Sequence, residues 1–194
     1  MIIPKERVSV EVAKIKGSRF IGYLDRVLCA KDISVFLNDV QNLHSRASHY
    51  CYAWRIDAQE RSSDDGEPKG SAGPPILKRL RSKDCFQAML VVVRYFGGTK
   101  LGVGGLVRAY GSTAAAVLQK GSFEEYREWC SLSFSYLYSD TGRVEGVLSR
   151  FDHKIESKNY SKRVHLKILL LRDQKDLFVS CIVQESGGRV HIDV

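Results

Sequence analysis

Leu132-Ser133-Phe134-Ser135-Tyr136-Leu137-Tyr138 opens the stretch whose pattern decides a fold. Leu132, Phe134, Tyr136 and Tyr138 recur at the period of a half-buried strand. Asp140 and Thr141 stand where a helix is capped, and Val144, Val147, Leu148 and Phe151 follow at helical spacing. Lys154 to Ser161 is polar and weakly patterned, and it is taken as a strand without a pattern of its own. Val164, Leu166, Ile168 and Leu170 then alternate clearly. Asp173 begins a second helix bearing Leu177, Phe178, Cys181 and Ile182, and Gly187 and Gly188 fall where a left-handed helix end favours glycine. Val190, Ile192 and Val194 close the chain as a last strand. The order βαββαβ predicts a ferredoxin-like domain over residues 129–194, an antiparallel sheet with both helices on one face. That topology hosts many functions and specifies none.

Working back from there, residues 1–124 predict a separate α+β domain. Strands Val8 to Lys16 and Phe20 to Leu28 flank Gly17, and a helix carries Ile33, Phe36, Leu37, Val40 and Leu43 on one face. A strand from Ser48 to Asp57, a polar loop, and a short helix starting near Pro74 and Pro75 come next. An apolar strand from Phe86 to Phe96 leads through a glycine loop into a small-residue helix from Gly105 to Gln119. Gly121 to Glu128, with Glu124, Glu125 and Glu128, is the expected linker. The fold class is therefore α+β, in two domains. The chain has 194 residues, 44% of them hydrophobic, enough for sizeable cores.

The longest apolar run, Ala88 to Val93, is far short of the roughly 18 residues of a membrane span. Pro4, Lys5, Glu6 and Arg7 interrupt the first residues before a secretory apolar segment can form, so a cytoplasmic location is expected. The five cysteines, at 29, 51, 85, 130 and 181, contain no close pair of the zinc or redox type and read as reduced thiols.

The formal charge is +8, and it is unevenly spread. Between residues 69 and 108, Lys69, Lys78, Arg79, Arg81, Lys83, Arg94, Lys100 and Arg108 face a single acid, Asp84. Just before them, Asp57, Glu60, Asp64, Asp65 and Glu67 face only Arg61. Such a basic window can attract a polyanion, or its charges can simply solvate a helix face.

Two motifs carry chemistry. Ser63 to Pro75, Ser-Asp-Asp-Gly-Glu-Pro-Lys-Gly-Ser-Ala-Gly-Pro-Pro, is too rich in turn formers for a regular element. Asp64, Asp65 and Glu67 offer hard oxygen ligands without the spacing of a calcium loop; their commoner use is to hold turn amides or to pair with arginine. The second runs from Val91 to Gly111, a buried strand passing through Gly97, Gly98, Gly102, Gly104 and Gly105 into a helix. Its loop amides, with Arg94, Lys100 and Arg108, can cradle an anion, or the glycines can serve tight turns with Arg94 tied to Asp64 or Asp65. Walker spacing from Gly97 finds Val103 and Gly104 where Lys and Ser or Thr are required. The dinucleotide pattern from Gly102 finds Val107 where Gly is required, so ATP and NAD are disfavoured. His49 and Cys51 share a strand face by parity, which alone makes no catalytic pair.

Ser63-Asp64-Asp65-Gly66-Glu67-Pro68, followed by Arg94-Tyr95-Phe96-Gly97-Gly98 and Leu101-Gly102, closely resembles the signature of the IMPACT family, and the resemblance to its bacterial members extends over the whole chain. Lys69 stands where a small residue is usual, Ser71 where Thr is usual, and Pro74 where Lys is usual. The resemblance implies a first domain related to a small-subunit ribosomal protein and to the fourth domain of elongation factor G, with a second domain related to that factor's fifth. It implies nucleic-acid or ribosome binding, consistent with the basic window, whose Lys69, Lys78, Arg79, Arg81, Arg94, Lys100 and Arg108 are the expected contacts to RNA or ribosome. In eukaryotic members the family is linked to restraint of the kinase response to amino-acid starvation; their extra N-terminal partner-binding module is not expected here. The expectation is a non-enzymatic translation or stress regulator with no cofactor, metal or catalytic residue assigned. The alternatives are a regulator acting through a protein partner, and a hydrolase using Asp64, Asp65, Glu67 or His49.

Overall fold

The apolar run at Ala88–Val93 has two faces to bury. In the structure, a computed structural model describing residues 1–56 and 58–193, it forms the middle of a five-stranded sheet. Asp57 and Val194, the expected ends of two strands, lie outside the described residues. The chain divides into units Met1–Tyr126 and Arg127–Val194. In the first, the order is β1 (Ile2–Pro4), β2 (Val8–Glu11), β3 (Arg19–Arg26), α1 (Ala30–Leu43), β4 (His49–Ile56), β5 (Gln59–Ser63), α2 (Gly73–Ser82), β6 (Ala88–Tyr95), α3 (Val103–Lys120) and β7 (Phe123–Glu125). The sheet runs β2-β3-β6-β4-β5, every pair antiparallel.

Along β6 the side chains alternate between two cores. Ala88, Leu90 and Val92 pack with Phe20, Leu24 and the buried sides of α2 and α3. Met89, Val91 and Val93 pack with Ile21, Trp54 and Phe36 and Val40 of α1. A strand covered on both faces needs apolar residues at both parities, which is why this run shows no polar break. The β2–β3 connection ends in a two-residue turn: Ile15 and Ser18 exchange backbone hydrogen bonds of 3.0 Å, and Lys16 and Gly17 both have positive φ, 46° and 80°. Such a turn matches strand twist and favours glycine at its second position.

Three short strands depart from expectation. The polar loop after β4 begins with β5, an edge strand whose Gln-Glu-Arg-Ser-Ser sequence carries no hydrophobic alternation because it is held by backbone pairing to β4. The expected linker, Gly121 to Glu128, instead contains β7, which pairs with β1 in register Ile3↔Glu124. Backbone bonds between segments over a hundred residues apart leave no local sequence period.

The second unit contains β8 (Trp129–Tyr136), α4 (Thr141–Leu148), β9 (His153–Tyr160), β10 (Val164–Leu171), α5 (Lys175–Glu185) and β11 (His191–Asp193), in the sheet order β11-β8-β10-β9. Leu132, Phe134, Leu166 and Ile168 share a core with Val144, Val147, Phe178 and Ile182. β9 is the polar edge strand, paired with β10 alone. Asp140 occupies the cap position of α4, but its carboxylate takes two bonds from Arg189, at 3.1 and 2.7 Å, and one from Arg143, tying the helix start to the approach of β11. Gly187 and Gly188 have φ of 60° and 74°, the left-handed geometry that ends α5.

α3 packs directly on Gly22 of β3, where an added Cβ would lie 2.3 Å from Val117 Cγ2. Gly22→Ala is expected to destabilise the first unit by about 1–3 kcal/mol in urea unfolding. Val117→Ala in the same chain should return part of that loss, because it removes the opposing methyls.

Candidate functional site

The acidic loop is folded by its own carboxylates. Asp64, half-buried, accepts backbone N–H bonds from Gly70 at 2.7 Å, Ala72 at 2.9 Å and Gly73 at 2.8 Å. Ala72 and Gly73 are the cap and first residue of α2, so Asp64 supplies the anion that the helix start attracts. Burial opposes ionisation of this carboxyl, but the three amide bonds outweigh it and hold it below the ordinary aspartate value. Asp65 accepts the Tyr50 backbone N–H at 2.6 Å, and its carbonyl lies 2.8 Å from His49 Nδ1. The loop turns at Asp65 and Gly66, with φ of 41° and 82°.

Glu67 points inward, with its side chain 4% exposed. Its Oε1 accepts from Arg94 Nη1 at 2.6 Å and from the Tyr110 hydroxyl at 2.6 Å. Burial pushes the Tyr110 hydroxyl up in pKa, so it stays a proton donor. One carboxylate thus joins the loop to β6 and α3. Arg94 Nη2 reaches Ser18 Oγ at 3.4 Å, and that hydroxyl also accepts the Gly97 N–H at 3.2 Å. At Gly97 an added Cβ would sit 2.0 Å from the Gly17 carbonyl carbon, so two glycine backbones touch where the glycine loop crosses the β2–β3 turn. The Arg94 guanidinium carbon lies 5.6 Å from the centre of the Phe20 ring and 5.4 Å from that of Phe96. Cys51 Sγ donates to the Asp64 carbonyl at 3.0 Å, and burial pushes its thiol up to about 12. It is therefore a protonated packing group rather than a thiolate nucleophile.

Beside this closed cluster, a groove of about 730 Å³ lies where the β2–β3 turn, α2, the glycine loop and α3 meet. Its lining combines Lys16, Lys78, Arg79 and Arg108 with the apolar Ile15, Pro74, Pro75, Leu101 and Val107, and contains no carboxylate. Arg79 Nε donates to the Gly111 carbonyl at 3.1 Å, which fixes the guanidinium. Lys16, Lys78 and Arg108 make no ion pair among the described residues. Against a low-dielectric wall, such uncompensated charges produce a focused positive potential.

The structure sorts the sequence-predicted contacts into separate places. Lys78, Arg79 and Arg108 meet in the groove, and Lys100 is exposed on the loop next to its Leu101 wall. Lys69 is exposed on the acidic loop, outside the groove. One expected contact is corrected: Arg94 is 4% exposed and spent on Glu67. Arg81, exposed outside the groove, donates twice to Glu60. Arg94 pairs with neither Asp64 nor Asp65, because both of those carboxylates are taken by backbone amides. Of the glycines, Gly97 is packed against Gly17, whereas Gly98, Gly102 and Gly104 have no atom within 4 Å of an added Cβ. Lys16 escaped the sequence reading because it lies far upstream of the basic window; its place in a Lys-Gly hairpin turn was the available signal. Among the described residues no group of three or more His, Cys, Asp or Glu side chains is arranged to hold a metal ion.

Fold and site together define an α+β protein whose acidic and glycine motifs lock one another internally beside a cationic groove. The chain belongs to the IMPACT family. The family's Impact N-terminal domain model matches residues 16–118. The chain is 35% identical to the IMPACT family member YigZ of Escherichia coli, covering 98% of this chain and 96% of that one. It is 32% identical to the family member YvyE of Bacillus subtilis, covering 92% and 83% respectively. A solved crystal structure of a hypothetical protein superposes with a TM-score of 0.72 at 32% identity, covering 98% of this chain and 95% of the other.

Two outcomes follow from this geometry. Arg94→Met strands a buried carboxylate and should cost about 3–5 kcal/mol in guanidinium unfolding, while the paired Arg94→Met/Glu67→Leu variant should cost less than the two single losses summed. Asp64 has a depressed carboxyl pKa, so its contribution is present above the unfolded-state value and is lost as pH falls through the folded-state value. Asp64→Asn should thus be less stable than the parent by about 1.5–3 kcal/mol at pH 7, with the gap narrowing steadily on acidification.

Proposed function

We propose that the protein is a non-enzymatic, RNA- or ribosome-associated factor of translation or stress control, acting in the cytoplasm. The observation that carries this reading is the acid-free cationic groove formed by Lys16, Lys78, Arg79 and Arg108. Lysine and arginine side chains gathered on one surface neutralise phosphates and release their condensed counterions, arginine gripping with a planar fork and lysine as a point charge. The second unit, a ferredoxin-like βαββαβ arrangement, and the first, read as related to the ribosomal-protein-like fold of elongation factor G domain IV, accord with that role. No helix among the described residues is long and apolar enough to cross a membrane.

The acidic loop supports the non-enzymatic part. Asp64 is saturated by amides, Glu67 is enclosed by Arg94 and Tyr110, and Cys51 is held as a thiol. A general base needs an accessible lone pair and a nucleophile needs an exposed anion; the amide-saturated Asp64 and the protonated Cys51 offer neither, and Glu67 has Oε1 committed to Arg94 and Tyr110.

Fluorescence anisotropy with a mixed-sequence RNA, titrated at several salt concentrations, tests the proposal. Log affinity should fall linearly with log salt, and each lost phosphate contact should reduce the slope by about 0.7–0.9, so Lys78→Ala and Arg108→Ala each flatten it. An affinity indifferent to salt and to both substitutions would overturn the proposal.

A further inference from the structure

The cationic groove is not uniformly polar, and its apolar share calls for a ligand with more than phosphates. Pro74 is exposed, Leu101 and Ile15 are half-buried, and Val107 is 38% exposed, all in the lining that holds the four cations. A duplex offers phosphates on a convex surface and keeps its base faces stacked inside, so it would leave this apolar lining wet. A single strand offers both components: an unstacked base supplies a flat apolar face and the flanking phosphates supply charge. The volume, about 730 Å³, falls in the ~300–1,000 Å³ range of pockets that enclose small ligands.

We infer that the groove between the β2–β3 turn, α2 and α3 is a single-stranded RNA site, in which an unstacked nucleotide packs against Pro74, Leu101 and Val107 while Lys16, Lys78, Arg79 and Arg108 hold its neighbouring phosphates. The inference rests on the RNA-binding reading above and makes it specific. An acidic peptide shares the charge but fits less well. The two long walls are helices, α2 and α3, whose backbone groups are engaged along their own axes, so an extended chain would find no sheet edge to pair with. Arg79 is held by the Gly111 carbonyl at 3.1 Å, so its guanidinium is placed before any ligand arrives. Gly111 is buried beneath that guanidinium, with Arg79 Nε and Nη2 and Pro75 Cβ at 3.8–4.0 Å from where a Cβ would lie, so Arg79 packs directly on the α3 backbone.

The test compares three labelled probes on the intact chain by anisotropy: a mixed-sequence 12-nucleotide single strand, a 12-base-pair RNA hairpin, and a poly-glutamate peptide of matched charge. The single strand is expected to bind at least tenfold tighter than the hairpin. Val107→Ala should weaken it about three- to tenfold and shrink the single-strand preference. Because alanine is the better helix former at an exposed position, this variant folds at least as well as the parent, and circular dichroism checks it. Val107→Glu should weaken the single strand further. Equal or tighter hairpin binding, or a single-strand affinity untouched by both Val107 substitutions, would overturn the single-strand site while leaving the protein an RNA binder. Poly-glutamate displacing the single strand at matched charge would overturn it in favour of an acidic peptide. Failure of both RNA probes to bind would overturn this inference together with the function proposed above.

Discussion

A carboxylate taken out of water costs several kcal/mol unless charge and hydrogen bonds replace what the solvent gave, and Glu67 meets that requirement with Arg94 and Tyr110 on one oxygen. The three residues come from the acidic loop, the central strand β6 and helix α3. None of these segments can move far without stranding a buried charge, so the network registers the loop against the sheet and the helix against both. The same economy governs Asp64, whose three amide bonds close the loop and neutralise the start of α2. Acids that look chemically available in the sequence are thereby consumed in holding the fold.

That consumption shapes the surface. Because Glu67 takes Arg94 and Glu60 takes Arg81, the acidic stretch does not reach across to the remaining basic side chains. Lys78, Arg79 and Arg108 are left to gather with Lys16, and their charges face a wall of proline, leucine and valine. The basic window of the sequence is thus divided by the fold: Arg94 is buried in the interior, Arg81 is paired at the surface, and Lys78, Arg79 and Arg108 line a groove of mixed apolar and cationic character.

The parts of the fold legible in the sequence are those encoded by local period. The alternation in β8 and β10, the helical spacing in α1, α4 and α5, the unbroken run of β6 and the glycines ending α5 each state which face is buried or which backbone angle is required, and each is found in place. The strands that escaped, β1, β5 and β7, are short or polar edge strands specified by backbone hydrogen bonds to a partner and not by side-chain alternation. β9 is polar as well, and no side-chain alternation of its own marks it as a strand.

By itself the sequence determined the α+β class, the βαββαβ order of the second unit, the two motifs and the family they belong to, because periodicity and turn chemistry act between residues a few positions apart. Only the tertiary structure decided what the charged residues do. Arg94 and Lys78 stand in the same basic window, yet one is buried against a carboxylate 27 positions away and the other lines an open groove with a lysine from a distant hairpin. Electrostatic partnership depends on distance and desolvation in the folded chain, and neither is recorded in the spacing of residues along it.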